Sequence, residues 1–354
     1  MTRPRLLSRA AAWSGLMSLM AGAAFAFAAP RAEALALSSH PVTGFQFGVS
    51  CISTTLCVVT GYDDGGVGDV VDIHKGVPGP ASVIAGTKAV YTVSCPAGAG
   101  CVALGVTSND VSPVLVTIGP SGAVESSKTL SVPPGVSLVR ISCVSLTTCE
   151  LSGTDIFTSP VMLEMGRWDG AKLTLQHVPL PHGASAPALE ALSCSGSQCV
   201  AVGSAFSGSN SEGLVLRTTG GTPVLHTVAD ASIYGVACTS SSLCYGAGFT
   251  RTGGLAMTIK SGVASSTVTL TQGDMMAIAC RASSCTAVGE KLAPPGAPAK
   301  DVYYGVLVGL SDGKVTSSEM VPASGGFTNV AQYGGAYAAV GAAQGKGTEV
   351  TTFA

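Results

Sequence analysis

Arg140 and Glu190 are one pair of residues in this chain whose types could do chemistry together, a guanidinium and a carboxylate each placed just ahead of a cysteine. They could bind one another or grip a polar ligand, and the carboxylate could serve as a general acid or base. Tyr91 and Tyr234 stand at matching places before two further cysteines. Their rings could stack on a sugar or fill a core. Other candidates are weaker. Asp63, Asp64 and Asp69 surround Gly65 and Gly66, a set that could hold calcium through carboxylate and carbonyl oxygens or form an acidic turn. His74, His177, His182 and His226 come with no serine nucleophile elbow and no His-x-x-x-His pair. Neither a nucleotide-binding glycine loop nor a paired-carboxylate motif stands out. No catalytic residue, metal or cofactor is therefore assigned.

The twelve cysteines carry a different chemistry. They fall into six close pairs: Cys51 with Cys57, Cys95 with Cys101, Cys143 with Cys149, Cys194 with Cys199, Cys238 with Cys244, and Cys280 with Cys285. Zinc is disfavoured because no histidine has the required offset from them, so disulfides are expected. Successive pairs begin 44, 48, 51, 44 and 42 residues apart, and a fixed period in this range marks a solenoid or propeller.

The elements that position these residues follow from that period. A short apolar run precedes each pair, as in Phe47-Gly48-Val49-Ser50-Cys51, and a second run closed by glycine follows, as in Cys199-Val200-Ala201-Val202-Gly203. Two such runs form a hairpin. Its short loop sets the cysteines opposite each other, about 4.5 to 5.5 Å apart at Cα, where a disulfide can close. Third and fourth strands follow, for example 114–118, 213–217 and 305–309, then 173–178 and 266–270. Four antiparallel strands per unit make one propeller blade. A seventh unit without cysteines runs over 330–341, with Tyr337 at the second-cysteine position, and ends after a third strand at 349–353. Residues 36–42 look like its missing fourth strand. The expectation is an all-β, seven-bladed β-propeller whose last blade is closed by the N-terminal strand, removing exposed edges. Along the innermost strands, bulky residues such as Phe47, Val139, Glu190 and Met276 alternate with small ones, so blades should pack large against small.

At the pattern Ser-Cys followed by Cys-Val-Ala-Val-Gly, the units resemble the cysteine-paired repeats of secreted bacterial, actinobacterial-type propeller proteins, and more distantly sialidase-type and kelch-type blades. The resemblance covers essentially all of the chain after residue 36. It implies the fold and little about activity. The Asp box of sialidases and their Arg-Ile-Pro motif are absent, so no sialidase mechanism is carried over.

Residues 1–36 read as a signal peptide, with Arg3, Arg5 and Arg9 ahead of an uncharged stretch from 10 to 29 and small residues at Ala32, Ala34 and Ala36. An uncleaved anchor is the rival reading. Residues 37–354 then form a single propeller domain, secreted and monomeric, with no membrane segment of its own. Residues 1–36 carry four arginines and one glutamate, so a formal charge of −2 for the whole chain becomes −5 for the remainder. This disfavours nucleic acid, which is held mainly by Lys and Arg. Loops at 63–69, 108–110, 154–159, 205–212, 251–254 and 290–301 share one face, away from the cysteine hairpins, and variable polar loops on a rigid frame are where binding sits. The expected function is a non-catalytic extracellular binding or scaffold module recognising a glycan or cell-surface protein. The alternative is a carbohydrate-active hydrolase or lyase at the axial mouth, using Arg140, Glu190, Tyr91 and Tyr234.

Overall fold

The computed structural model describes residues 37–353 apart from 111, 220–221, 272, 293–302, 322–323 and 344–346. The expected signal peptide and most of the 290–301 loop, with its prolines, lie outside the described residues. Seven four-stranded antiparallel sheets succeed one another along the chain. Blades 1 to 6 occupy residues 45–83, 87–129, 136–178, 184–229, 231–270 and 274–321. Blade 7 is built from residues 324–353 and takes its outermost strand from Ser38–Val42. That strand pairs with Thr348–Phe353 from Ser38 opposite Thr352 to Val42 opposite Thr348. The innermost strands of successive blades touch in turn, and the first touches the last, so the seven-bladed propeller closes. Its core lies between blades, as where Val58 and Val70 of blade 1 meet Val90, Val114 and Val116 of blade 2.

All six expected disulfides form within their own hairpins. Five join residues directly opposite in the ladder, as with Cys194 and Cys199. The paired Cα atoms lie 3.8 to 4.0 Å apart, nearer than expected, because the covalent link draws them inside the roughly 4.5 Å of an ordinary non-hydrogen-bonded pair. Each loop is short, so the chain-entropy model assigns roughly 2 kcal/mol to each bridge. In blade 7 the equivalent ladder position holds Gln332 opposite Tyr337, and the Tyr337 ring stacks on Phe353 at 5.4 Å.

Two features of the repeat have distinct physical causes. The glycine that closes the second run is fixed by close approach. A Cβ on Gly61, Gly105, Gly153, Gly203, Gly248, Gly289 or Gly341 would come within 3.0 Å of a main-chain carbonyl oxygen of the innermost strand, Ala188 O in the case of Gly203. A register shift recurs beside these positions, as between Leu189 and Ala191, and such a bulge bends and twists the strand that carries it. The serine before the first cysteine acts between blades. Oγ of Ser50, Ser94, Ser142 and Ser193 accepts the main-chain N–H of Cys95, Cys143, Cys194 and Cys238 in the next blade, at 2.9 to 3.1 Å. The later blades have Ala237, Ala279 and Ala331 there, and the seam between blades 7 and 1 is joined instead by Asn329 Nδ2 donating to Phe47 O at 3.0 Å and Gln46 N donating to Thr348 Oγ1 at 3.1 Å.

The large-against-small expectation holds at Gly48, whose missing side chain lets it lie against Thr92 and Val93, and at Gly235 against Ala277 and Ile278. It needs correction in blade 3. There the position just after the bulge, which is Gly48, Thr92, Ala191, Gly235 or Ala277 in other blades, holds Arg140, and Arg140 rather than Val139 lines the axial cavity.

Candidate functional site

The innermost strands surround an axial cavity of about 540 Å³. Arg140, Glu190, Tyr91 and Tyr234 all line it, with Phe47 and Met276 from the equivalent positions of two other blades. Each innermost strand starts at the loop face and runs toward its cysteine hairpin, which places this ring of side chains near the loop-face mouth.

Arg140 and Glu190 bind one another. Arg140 Nη2 donates to Glu190 Oε2 at 3.0 Å, its Nε donates to the Glu190 main-chain oxygen, and its Nη1 donates to Val139 O at 3.2 Å. Each side chain is about one quarter exposed (28% and 24%). Burial pulls the guanidinium below its ordinary value, and the Glu190 charge and hydrogen bond oppose that pull. With all its nitrogens directed at protein oxygens, Arg140 bolts blade 3 to blade 4. Burial likewise raises the phenols of Tyr91 and Tyr234, keeping both neutral hydrogen-bonding rings.

Aromatic contacts run from the rim into the mouth. Phe45 meets Tyr62 at 5.4 Å, Tyr62 meets Phe47 at 5.6 Å and Phe47 meets Tyr91 at 6.0 Å, while Tyr234 stacks on Phe249 at 5.3 Å. The same face carries large apolar side chains in water. These include Phe45 on blade 1, Ile156 and Phe157 on blade 3, Phe206 on blade 4, and Leu292 and Tyr303 on blade 6, and Phe157 is 72% exposed. Every one of them sits at the start of a first or third strand or at or beyond the end of a second, and those strand ends share one side of a propeller. Sequence reading picked out the polar loops of this face and passed over their apolar members, because single exposed aromatics carry no periodic signal.

The acidic segment at 63–69 is a turn. Asp63 Oδ1 accepts N–H from Gly65 and Val67 at 2.9 Å, and Asp64 Oδ1 accepts from Gly44 at 3.2 Å. Asp69 is separate and fully buried, accepting from Gln46 Nε2 at 3.1 Å. Desolvation raises its pKa to about 6, with Asp63 and Asp64 adding to the shift and Gln46 opposing it. The folded state therefore holds this proton more tightly than the unfolded chain. Stability present at pH 4 is lost as pH rises toward 6, by about 2 to 3 kcal/mol. Asp69→Asn is expected to remove this slope, giving urea midpoints at pH 4 and pH 7.5 that differ less than those of the unaltered protein. An undiminished slope would show that another group controls it.

Three other groups, Asp155, Glu164 and His177, lie together on blade 3, with donor atoms within 4.8 Å of one another. Sequence reading missed them because they are scattered over three strand regions with no motif spacing.

No protein-family model matches the chain, and no curated protein does either. Solved structures share the architecture. YCF48 bound to D1 peptide is 12% identical with a TM-score of 0.56, over 90% of this chain and 96% of that one. The RRP9 WD40 repeats are 10% identical with a TM-score of 0.61, over 89% and 96%. The Neurospora crassa Pan2 WD40 domain is 12% identical with a TM-score of 0.57, over 87% and 89%. The shared property is the propeller. Among the described residues no helix is long and apolar enough to cross a membrane.

Proposed function

We propose that this protein is a non-catalytic binding or scaffold module, exported to an oxidising compartment, that holds a protein partner by an extended apolar segment on its loop face. The observation that carries the reading is the set of exposed apolar side chains around the cavity mouth, above all Ile156 and Phe157. Aliphatic and phenyl groups match peptide side chains better than the hydroxyl-rich edges of a sugar, and apolar residues gathered on one face mark interaction sites. In this reading Tyr91 and Tyr234 wall the pocket that receives one partner side chain, and the Arg140 and Glu190 pair forms its polar side. Mutual engagement of Arg140 and Glu190 speaks against the hydrolase alternative, which needs a carboxylate free to exchange a proton with substrate. Six hairpin disulfides are in keeping with export, since such bonds persist in oxidising compartments. The structural likeness to a propeller bound to a peptide is in keeping with a peptide ligand.

The test is selection from a displayed random-peptide library with residues 37–354, followed by affinity measurement. Peptides rich in Leu, Phe and Trp are expected, and Phe157→Asp should weaken them at least tenfold, or about 1.4 kcal/mol. Selective binding on a glycan array with no peptide enrichment would sink the proposal. Glycoside turnover abolished by Glu190→Gln would replace it with the hydrolase reading.

A further inference from the structure

One place in the repeat holds a buried carboxylate in three blades. The third-strand residue opposite the closing glycine of strand two is Asp69 in blade 1, Glu164 in blade 3 and Glu349 in blade 7. Blades 2, 4, 5 and 6 have Val114, Leu214, Leu255 and Val306 there. Blade 1 serves its carboxylate with Gln46, and blade 7 with the Ser324 hydroxyl. Blade 3 has Leu138 where blade 1 has Gln46, and leucine donates nothing. Glu164 is nevertheless wholly buried, and its Oε2 has no hydrogen-bond partner.

The ladder brings two further donors to it. His177 lies directly opposite Glu164 on the outermost strand, and its Nδ1 contacts Glu164 Oε1. Asp155 stands two residues beyond Gly153, which is opposite Glu164. Opposite residues share a face, as do residues two apart on one strand, so all three side chains project from the same side of the sheet. With no side chain at Gly153, nothing stands between them. Asp155 is buried, and its Oδ1 accepts the N–H of Phe157 at 2.9 Å. Two carboxylates buried side by side are costly unless a cation compensates them. His177 is 54% exposed, which leaves one side open to water.

We propose that Asp155, Glu164 and His177 bind a single zinc-class divalent cation, with solvent at the remaining position. Imidazole with carboxylate oxygens is a zinc donor set, whereas calcium and magnesium take oxygen ligands. Donors around a tetrahedral zinc lie roughly 3.4 Å apart at metal distances near 2.1 Å, so a group already within 4.8 Å needs only a small side-chain adjustment. This inference is independent of the loop-face partner.

The experiment is titration of chelator-treated protein with zinc ion alone by calorimetry, and with cobalt ion alone followed by visible absorption. One ion per chain is expected, with four-coordinate cobalt bands and a rise in thermal midpoint, since a ligand of the native state stabilises it by mass action. His177→Ala should weaken binding more than ~100-fold, beyond what loss of an outer-shell partner costs, and abolish the thermal shift. Glu164→Gln should do the same. If Glu164→Gln fails to fold, the exposed His177→Ala variant decides alone. Absence of saturable uptake, or uptake unchanged in His177→Ala, would overturn the proposal and leave a cluster neutralised by protons.

Discussion

Gly203→Val is expected to remove a large part of the stability that holds the folded state at room temperature. The new Cβ would lie against Ala188 O and the Leu189 Cα, both main-chain atoms, so no side-chain rotation relieves the clash and two hydrogen-bonded strands must separate. A loss of about 4 kcal/mol or more is the scale of such a disruption, a large share of the 5 to 15 kcal/mol that holds an ordinary domain. Loss of soluble yield and of the cooperative circular dichroism melt would register it. Gly335→Ala is the control. A Cβ there meets nothing within 4 Å, and its melt should match the parent within about 0.5 kcal/mol. A Gly203→Val protein that melts normally would show that close approach does not fix the repeat glycines.

Arg140→Ala should produce the second large effect, about 2 to 3 kcal/mol lost in urea denaturation. Truncation leaves the Glu190 carboxylate without its charge partner and strands its main-chain oxygen, and breaking a buried ion pair costs more than the pair contributes. The partial exposure of both groups holds the figure below the range for a fully enclosed pair. Replacing both residues, Arg140→Met with Glu190→Met, should recover most of the loss, because an apolar pair of similar volume needs no compensation. A fully stable Arg140→Ala protein with weakened partner binding would instead assign Arg140 to the ligand.

The architecture was legible because its period is written in covalent chemistry. Cysteine pairs, closing glycines and the leftover strand at 36–42 specify blade count and ring closure without any knowledge of packing. The reasons behind the motif were not legible. Ser142 looks like any small residue in a strand until the next blade supplies the Cys194 N–H. Gly203 looks like a turn signal until the neighbouring strand brings the Ala188 carbonyl against it. Arg140 and Glu190 could be placed near the axis from their offsets to Cys143 and Cys194, but that Arg140, standing where other blades carry Gly48, Ala191, Gly235 or Ala277, reaches the Glu190 main chain shows only once the blades lie side by side. The donors on blade 3 were hidden for a similar reason. Asp155, Glu164 and His177 meet through two ladder registers whose loop lengths have to be known first.

Among the described strands, the outermost strand of blade 7 comes first along the chain, and its partner, Thr348–Phe353, comes last. A growing polypeptide folds its N-terminal parts first, yet this ring can only be sealed at the end. Meanwhile each hairpin can oxidise as it emerges, because both its thiols arrive within five or six residues of each other, before those of the next unit. Six locally locked leaflets would then await one final clasp, and removing either strand of the Ser38–Val42 and Thr348–Phe353 pair should strike that clasp first.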